Sequence, residues 1–129
     1  MAITNKERVG RALDILREGL YPFVEREMRS AYNEHWENHA LSHLYEDRNL
    51  KRTTAERLQQ DITDLINVIF GEWHNVFKKI LGNAERNLVG ELKTIRNDWA
   101  HGNNFTTDDA YRALDSTARL LSSISAPQA

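Results

Sequence analysis

The sequence contains no cysteine among its 129 residues. This absence excludes a disulfide framework, a zinc site built from thiolates and a cysteine nucleophile. The N-terminus lacks the apolar core of a signal peptide, and no run approaches the roughly 20 apolar residues that cross a bilayer. We therefore expect a cytoplasmic protein that has no membrane partner.

An excess of positive charge is also lacking. The 17 Lys and Arg residues are outnumbered by 19 Asp and Glu residues, which gives a formal net charge of −2. A protein covered in positive potential, of the kind that holds nucleic acid non-specifically, is thereby excluded. Any nucleic-acid site has to be a local one.

Prolines and glycines are few, two and six respectively. They separate helical blocks and do not lie within alternating, strand-like patterns. The sequence therefore predicts an all-α fold. We expect one domain over residues 1–125, with residues 126–129 as a tail or the start of a linker. A domain of this size buries enough surface to fold without a metal or a disulfide.

The first predicted helix opens with Thr4 three residues before Glu7, the spacing of a capping box. We expect a kink or a short break at Gly19 and Pro22, since proline clashes with the carbonyl four residues back and disfavours helix at the residue before it. Residues 33–52 are the most polar and least regular part of the chain, which predicts a fraying helix followed by a loop.

The strongest helical pattern begins at Thr53, again with a glutamate three residues later. Its apolar residues recur at three- and four-residue steps from Leu58 to Ile80. A third major helix is predicted from Ala84 to Gly102, and a last one begins near Thr106 or Thr107. The short connections predict a four- or five-helix up-and-down bundle.

The end of the third helix reads "IRNDWAHG", residues 95–102. Arg96 and His101 are five apart and would not share a face of a regular helix, whereas Asn97 and His101 would. Gly102 permits a left-handed turn that redirects the imidazole. We expect Trp99, with Ile95, to anchor the opposite side in the core.

Two interpretations of this helix end are open. A cation near a helix C-terminus stabilises the helix dipole by roughly 0.3–1 kcal/mol, which is a sufficient structural role for His101. The residues alone favour this capping interpretation. Alternatively, Arg96, Asn97 and His101 form a reactive group on a rigid support.

"RNDWAH" resembles the signature of HEPN domains (higher eukaryotes and prokaryotes nucleotide-binding), an arginine, a polar residue and a histidine a few positions later. The opening "TNKERVGRALDILREGLYPFVEREM" is similar to one HEPN subfamily. That subfamily occurs in a eukaryotic RNA-surveillance endonuclease and at the N-terminus of bacterial ATPases linked to phage defence. The resemblance covers nearly the whole chain.

The resemblance implies a metal-independent endoribonuclease that has no cofactor and forms a homodimer through its last two helices. RNA would be the substrate, and an attached or associated ATPase or nuclease domain would place the protein in antiviral defence or RNA surveillance. His101 would act as general acid or base, Arg96 would hold the phosphate, and Asn97 would orient them.

Two other functions keep the same fold. In one, the domain is a non-catalytic RNA-sensing or interaction module of a larger ATPase or nuclease. In the other, it is a plain helical dimerisation domain. HEPN toxins that are silenced by a partner nucleotidyltransferase carry a tyrosine where this chain has Asn103, so nucleotide transfer is not expected. We expect Asp98 and Asp109 near the site, and therefore modest, salt-sensitive RNA affinity.

Three histidines, His35, His39 and His43, are spaced four apart. In a helix they could offer two imidazoles to zinc or nickel, or they could form a solvated face. Aromatic residues at helical spacing favour a core or a dimer interface over base stacking; they are Phe70, Trp73, Phe77 and Trp99. The run "YEDRNLKR", residues 45–52, predicts a solvated loop that could reach RNA in a dimer.

Overall fold

The computed structural model describes residues 3–45 and 52–128, and within these ranges it contains helices and no strand. The all-α prediction is confirmed. The predicted loop at 45–52 falls mostly on residues 46–51, which lie outside the described residues. Short 3₁₀ turns occupy Asn33–His35 and Phe77–Lys79. The α-helices are α1 (Asn5–Tyr32), α2 (Trp36–Leu41), α3 (Thr54–Gln60), α4 (Ile62–Gly71), α5 (Asn83–Ala100) and α6 (Thr107–Ser123).

Three of the predicted helix starts coincide with side-chain caps, at Thr4, Thr53 and Thr106. The Thr4 hydroxyl accepts a hydrogen bond from the Glu7 amide at 3.1 Å. At the start of α6 the capping is reciprocal, since Thr106 accepts from the Asp109 amide at 3.1 Å and its own amide donates to the Asp109 carboxylate at 2.9 Å. Each such bond satisfies an amide that has no partner within the helix.

Of the kink or short break predicted in the first helix, the break is wrong, because α1 continues through Gly19 and Pro22. A proline inside a helix costs about 3 kcal/mol. Leu20, Phe23 and Val24 surround it and are buried in the core, and each contributes roughly 1.5–3 kcal/mol. Tertiary packing therefore outweighs the local cost of the proline.

The prediction of one continuous helix from residue 53 to residue 80 is also wrong. Asp61 is extended (φ −131°, ψ 113°), and its carboxylate caps the Thr63 amide at 2.8 Å, which separates α3 from α4. Short polar side chains compete with helix in this way. The helix ends again at Gly71. Ile80 is exposed. The apolar residues just before it are buried as predicted, although they lie in turns and not in an α-helix; they are Trp73, Val76 and Phe77.

The segment after α1 is more regular than expected. Its short helix α2 buries Trp36 and Ala40 against the core. The core itself lies between α1, α4, α5 and α6, and several of its leucines are fully buried. No helix within the described ranges has the length and apolar character that crossing a membrane requires.

Three helix ends meet at one end of the bundle. The Asn5 amide side chain donates to the Phe105 carbonyl at 3.2 Å, and Gly19 faces Leu121, so α1 and α6 run in the same direction. Trp99, near the end of α5, contacts the first turn of α1. The end of α5 therefore lies beside the starts of α1 and α6, so α5 runs antiparallel to both. We call this the motif end.

Candidate active site

Arg96 continues the buried face of α5. It follows Leu92 by four residues and Val89 by seven, and these two residues are fully buried. That spacing places the three side chains on one side of the helix. Arg96 itself is half-buried, because the core ends one turn before it. Its side chain makes no hydrogen bond or ion pair with any residue in the described ranges.

Asn97 and His101 share a face, as predicted from their spacing. The His101 amide donates to the Asn97 carbonyl at 3.0 Å. Asn97 is half-buried, whereas His101 is exposed and is the first residue after α5 (φ −85°, ψ 3°). Within the described part of the chain the imidazole has no hydrogen-bond partner. It is therefore free to receive a ligand.

A left-handed turn ends α5, as the sequence predicts. Gly102 has φ +74°. Its amide donates to the Trp99 carbonyl at 3.2 Å, and the Asn103 amide donates to the Asp98 carbonyl at 3.0 Å. These two bonds define a Schellman motif. The Asn103 side chain also donates to the Asp98 carboxylate at 3.2 Å. Asn103 therefore helps to fix the loop beside His101, a role that the sequence did not indicate.

Trp99 does not lie in the core, which corrects the sequence prediction. Its side chain is 37% exposed. The indole N–H donates to the Lys6 carbonyl at 3.2 Å, and a Cβ added at Gly10 would lie 3.2 Å from the same nitrogen. Ile95 is half-buried. Trp99 therefore fastens the end of α5 to α1 at the surface.

The two acids expected near the site lie together on the α6 side of α5. Asp98 and Asp109 line one surface cavity with Glu91 and Arg112. Asp98 is two residues from Arg96, which rotates it by about 200° around the helix axis. Asp109 is already engaged in the cap of α6. These carboxylates therefore lie on the α6 side of α5, turned away from Arg96, while Asp98 is one helical turn before His101.

The three histidines after α1 do not converge. His35 is exposed, His39 stacks on Tyr32 with ring centroids 3.7 Å apart, and His43 Nε2 lies 2.7 Å from Glu72 Oε2. Over residues 3–45 and 52–128, no group of three or more potential metal-ligating side chains occurs. The structure gives each imidazole a different environment.

A buried polar cluster, which no sequence pattern indicated, surrounds Glu72. This carboxylate is 4% exposed and accepts hydrogen bonds from Tyr32 and His43. The bond to Glu72, together with burial, raises the pKa of the Tyr32 hydroxyl. The cluster joins α1 to the segments after α2 and α4, so no local pattern could have indicated it.

Replacing Gly102 by alanine is expected to lower the free energy of unfolding by about 1–2 kcal/mol, the cost of a left-handed backbone for an L-residue. An added Cβ would have no neighbour within 4 Å, so the cost is conformational alone. Urea unfolding measures it. Gly102→Asn is the matched control and should lose less, because asparagine adopts this region more readily. An alanine variant as stable as the parent would contradict the left-handed cap.

Comparison with known proteins adds one finding to this geometry. The family model described as Swt1-like HEPN matches residues 11–125. Searches of curated proteins and of solved structures gave no match. The matched span includes most of α1, the whole of α5 with Arg96, the following His101, and α6. The chain belongs to the Swt1-like HEPN family.

Proposed function

We propose that this domain is a metal-independent endoribonuclease that acts as a homodimer, with Arg96, Asn97 and His101 of both copies around one cleft. One structural feature carries the proposal. Arg96 and His101 reach the same capped helix end without an internal partner among the described residues. Basic side chains near a helix C-terminus can bond its last carbonyls, and neither Arg96 nor His101 does so.

The chemistry follows from the side chains. His101 has a reference pKa near neutrality as a residue type, which suits transfer of a proton from the ribose 2′-hydroxyl. The 2′-oxygen then attacks phosphorus and the bond to the 5′-oxygen breaks. The histidine of the second copy supplies the proton to that leaving oxygen. The products are a 2′,3′-cyclic phosphate and a 5′-hydroxyl.

Arg96 would stabilise the charge that develops on the phosphate. Its planar guanidinium offers several donors in a fixed fork, which matches phosphate oxygens. Asn97, one residue further along the helix and on the face of His101, would orient the imidazole and the phosphate by hydrogen bonding. The rigid cap at Gly102 supports this arrangement.

A second copy is needed because a single copy leaves the motif open to water. His101 is exposed, and electrostatic stabilisation is strongest where water is excluded. Exposed apolar side chains near the same end support association through the last two helices; they are Trp99, Tyr111 and Leu114. Domains of this family commonly bind RNA and dimerise. We further propose that the domain is attached to, or associates with, an ATPase or nuclease that acts in antiviral defence or RNA surveillance.

Purified protein should cleave labelled RNA in the presence of a metal chelator and leave the matched DNA intact, because DNA lacks the attacking hydroxyl. RNA with a single 2′-O-methyl group at the cut site should resist at that position only. Gel electrophoresis with end-group analysis checks both expectations. Cleavage of DNA, or cleavage that chelator abolishes, would contradict the mechanism. Binding without cleavage would favour the RNA-sensing module.

A further inference from the structure

The five basic residues of the last two helices fall into two groups. Arg112 pairs with Glu91, and Arg119 pairs with Asp115 at 2.8 Å, so the cations on α6 are neutralised. The three on α5 have no ion pair with any residue in the described ranges; they are Arg86, Lys93 and Arg96. The unneutralised charge of this half of the domain therefore lies along α5.

Two of the α5 cations lie on one side of the helix and lead toward the motif end. Arg86 and Lys93 are seven residues apart, or about 10 Å along the same side. Asn97 lies one turn beyond Lys93 on nearly the same side. We call Arg86 and Lys93 the α5 cationic ridge.

Aromatic rings of the neighbouring segment hold the ridge in place. The Arg86 guanidinium lies 5.3 Å from the Trp73 ring, and the Lys93 amine lies 5.8 Å from the Phe70 ring. Trp73 is buried, so its ring supports the cation and is not open for base stacking. A cation over a ring keeps its charge and its N–H donors available. The ridge therefore presents two positioned positive charges to solvent.

Glu85 directly precedes Arg86 but points about 100° around the helix axis from it, and the acidic residues that follow Arg86 lie on another side of α5. Beyond Arg86, the acidic residues of α5 are Glu91 and Asp98. Both line the cavity between α5 and α6, where Glu91 also pairs with Arg112. One side of α5 is consequently cationic, although the net charge of the whole chain is −2.

We propose that the α5 cationic ridge binds the phosphates of a single-stranded RNA and leads that strand to Arg96 and His101. This inference rests on the proposed function and deepens it. A single row of charges along one helix follows one backbone, whereas a duplex presents two. In-line attack by a 2′-hydroxyl also needs an unpaired, flexible nucleotide. The ridge supplies positioning and no base readout, since its groups are charges without a base-reading amide.

The test measures binding separately from cleavage. All variants carry His101→Ala, and their affinities for labelled single-stranded RNA are measured by fluorescence anisotropy at several salt concentrations. Arg86→Gln with Lys93→Gln should weaken binding at least about tenfold and lower the salt slope by about 1.4, since each phosphate contact on a single strand contributes roughly 0.7. The charge-preserving pair Arg86→Lys with Lys93→Arg should restore both.

The matched control removes two charges from α6 instead. Arg112→Gln with Arg119→Gln changes the net charge by the same amount but removes cations that are already paired. It should leave the salt slope unchanged. If the two double variants weaken binding equally, or if the ridge variant binds RNA like the parent, the inference is wrong. Equal affinity for duplex RNA would overturn the single-strand assignment.

The outcome is independent of catalysis. If the parent protein never cleaves RNA, the proposed function fails, yet a selective loss of binding in the ridge variant would still support the ridge. Conversely, cleavage that needs Arg96 and His101 but not the ridge would support the function and overturn the inference. A ridge variant with an altered oligomeric state and unchanged RNA affinity would assign the ridge to a protein contact and overturn it too.

Discussion

Replacing His101 by alanine is expected to lower the rate of RNA cleavage by roughly 10²–10⁴-fold, the usual contribution of a general acid or base. Arg96→Ala should cost about 10²–10³-fold, since it removes a donor aimed at developing phosphate charge. Single-turnover cleavage of labelled RNA in chelator measures both. The losses should appear in the rate of the chemical step more than in binding, because binding uses other contacts as well.

Suitable controls replace a residue of the same type that lies elsewhere in the chain. His35→Ala removes an exposed imidazole near the other end of α1, and Arg26→Ala removes an exposed guanidinium from α1. Both should cut RNA like the parent. Since neither Arg96 nor His101 has an internal partner among the described residues, their alanine variants should stay within about 0.5 kcal/mol of the parent in stability. Variants at Arg96 and His101 that cleave normally would show that the site is wrong.

Replacing Arg57 by methionine is expected to lower the free energy of unfolding by about 3–5 kcal/mol, the cost of leaving a buried charge without its partner. Arg57 and Asp64 are both 6% exposed, and the Arg57 Nε lies 3.4 Å from the carboxylate. The guanidinium also donates to the Tyr45 carbonyl at 2.7 Å. Urea unfolding checks the loss. The matched control is Arg119→Met, whose exposed pair with Asp115 should contribute at most about 0.5 kcal/mol.

The loss of stability caused by Arg57→Met should depend on pH. Burial raises the pKa of Asp64, the charge of Asp61 raises it further, and Arg57 lowers it. A carboxyl whose folded pKa is raised stabilises the fold most at low pH, and that contribution is lost as the pH rises through the folded pKa. Removing Arg57 raises the pKa of the Asp64 carboxyl further, so its stabilising contribution is lost at a higher pH. The difference between variant and parent should therefore shrink between about pH 7 and about pH 4. A difference that grows on acidification would contradict the buried pair.

The sequence indicated the helices and the candidate site for the same reason, which is that both are local. Arg96, Asn97 and His101 lie within six residues of one helix end, so the sequence alone assigns them to one local segment. The caps at Thr4 and Thr106 are likewise contained within a single turn. Periodicity and capping chemistry were sufficient for these features.

Three of the four departures from the sequence predictions arose from tertiary contacts, whereas the one at Asp61 arose from a local cap. Asp61 lies within a continuous apolar periodicity that predicts one helix. Its backbone is extended and its carboxylate caps the Thr63 amide, so α3 ends there and α4 begins. Pro22 carries a local signal to break the helix, which core packing on both sides overrides. Trp99 has the spacing of a core residue, but its indole bonds the start of α1 at the surface. The partners of Glu72 are 29 and 40 residues away, beyond any local pattern.

The central claim is that two copies bring their motif ends together, and a cross-linking experiment tests it most directly. The chain has no cysteine, so Ala100→Cys, exposed at the last residue of α5, provides a unique thiol beside Arg96 and His101. Glu34→Cys, beyond the far end of α1, is the control. A short thiol cross-linker should give a covalent dimer at position 100 and none at position 34. No dimer at position 100 in protein that still cleaves RNA would contradict the shared cleft.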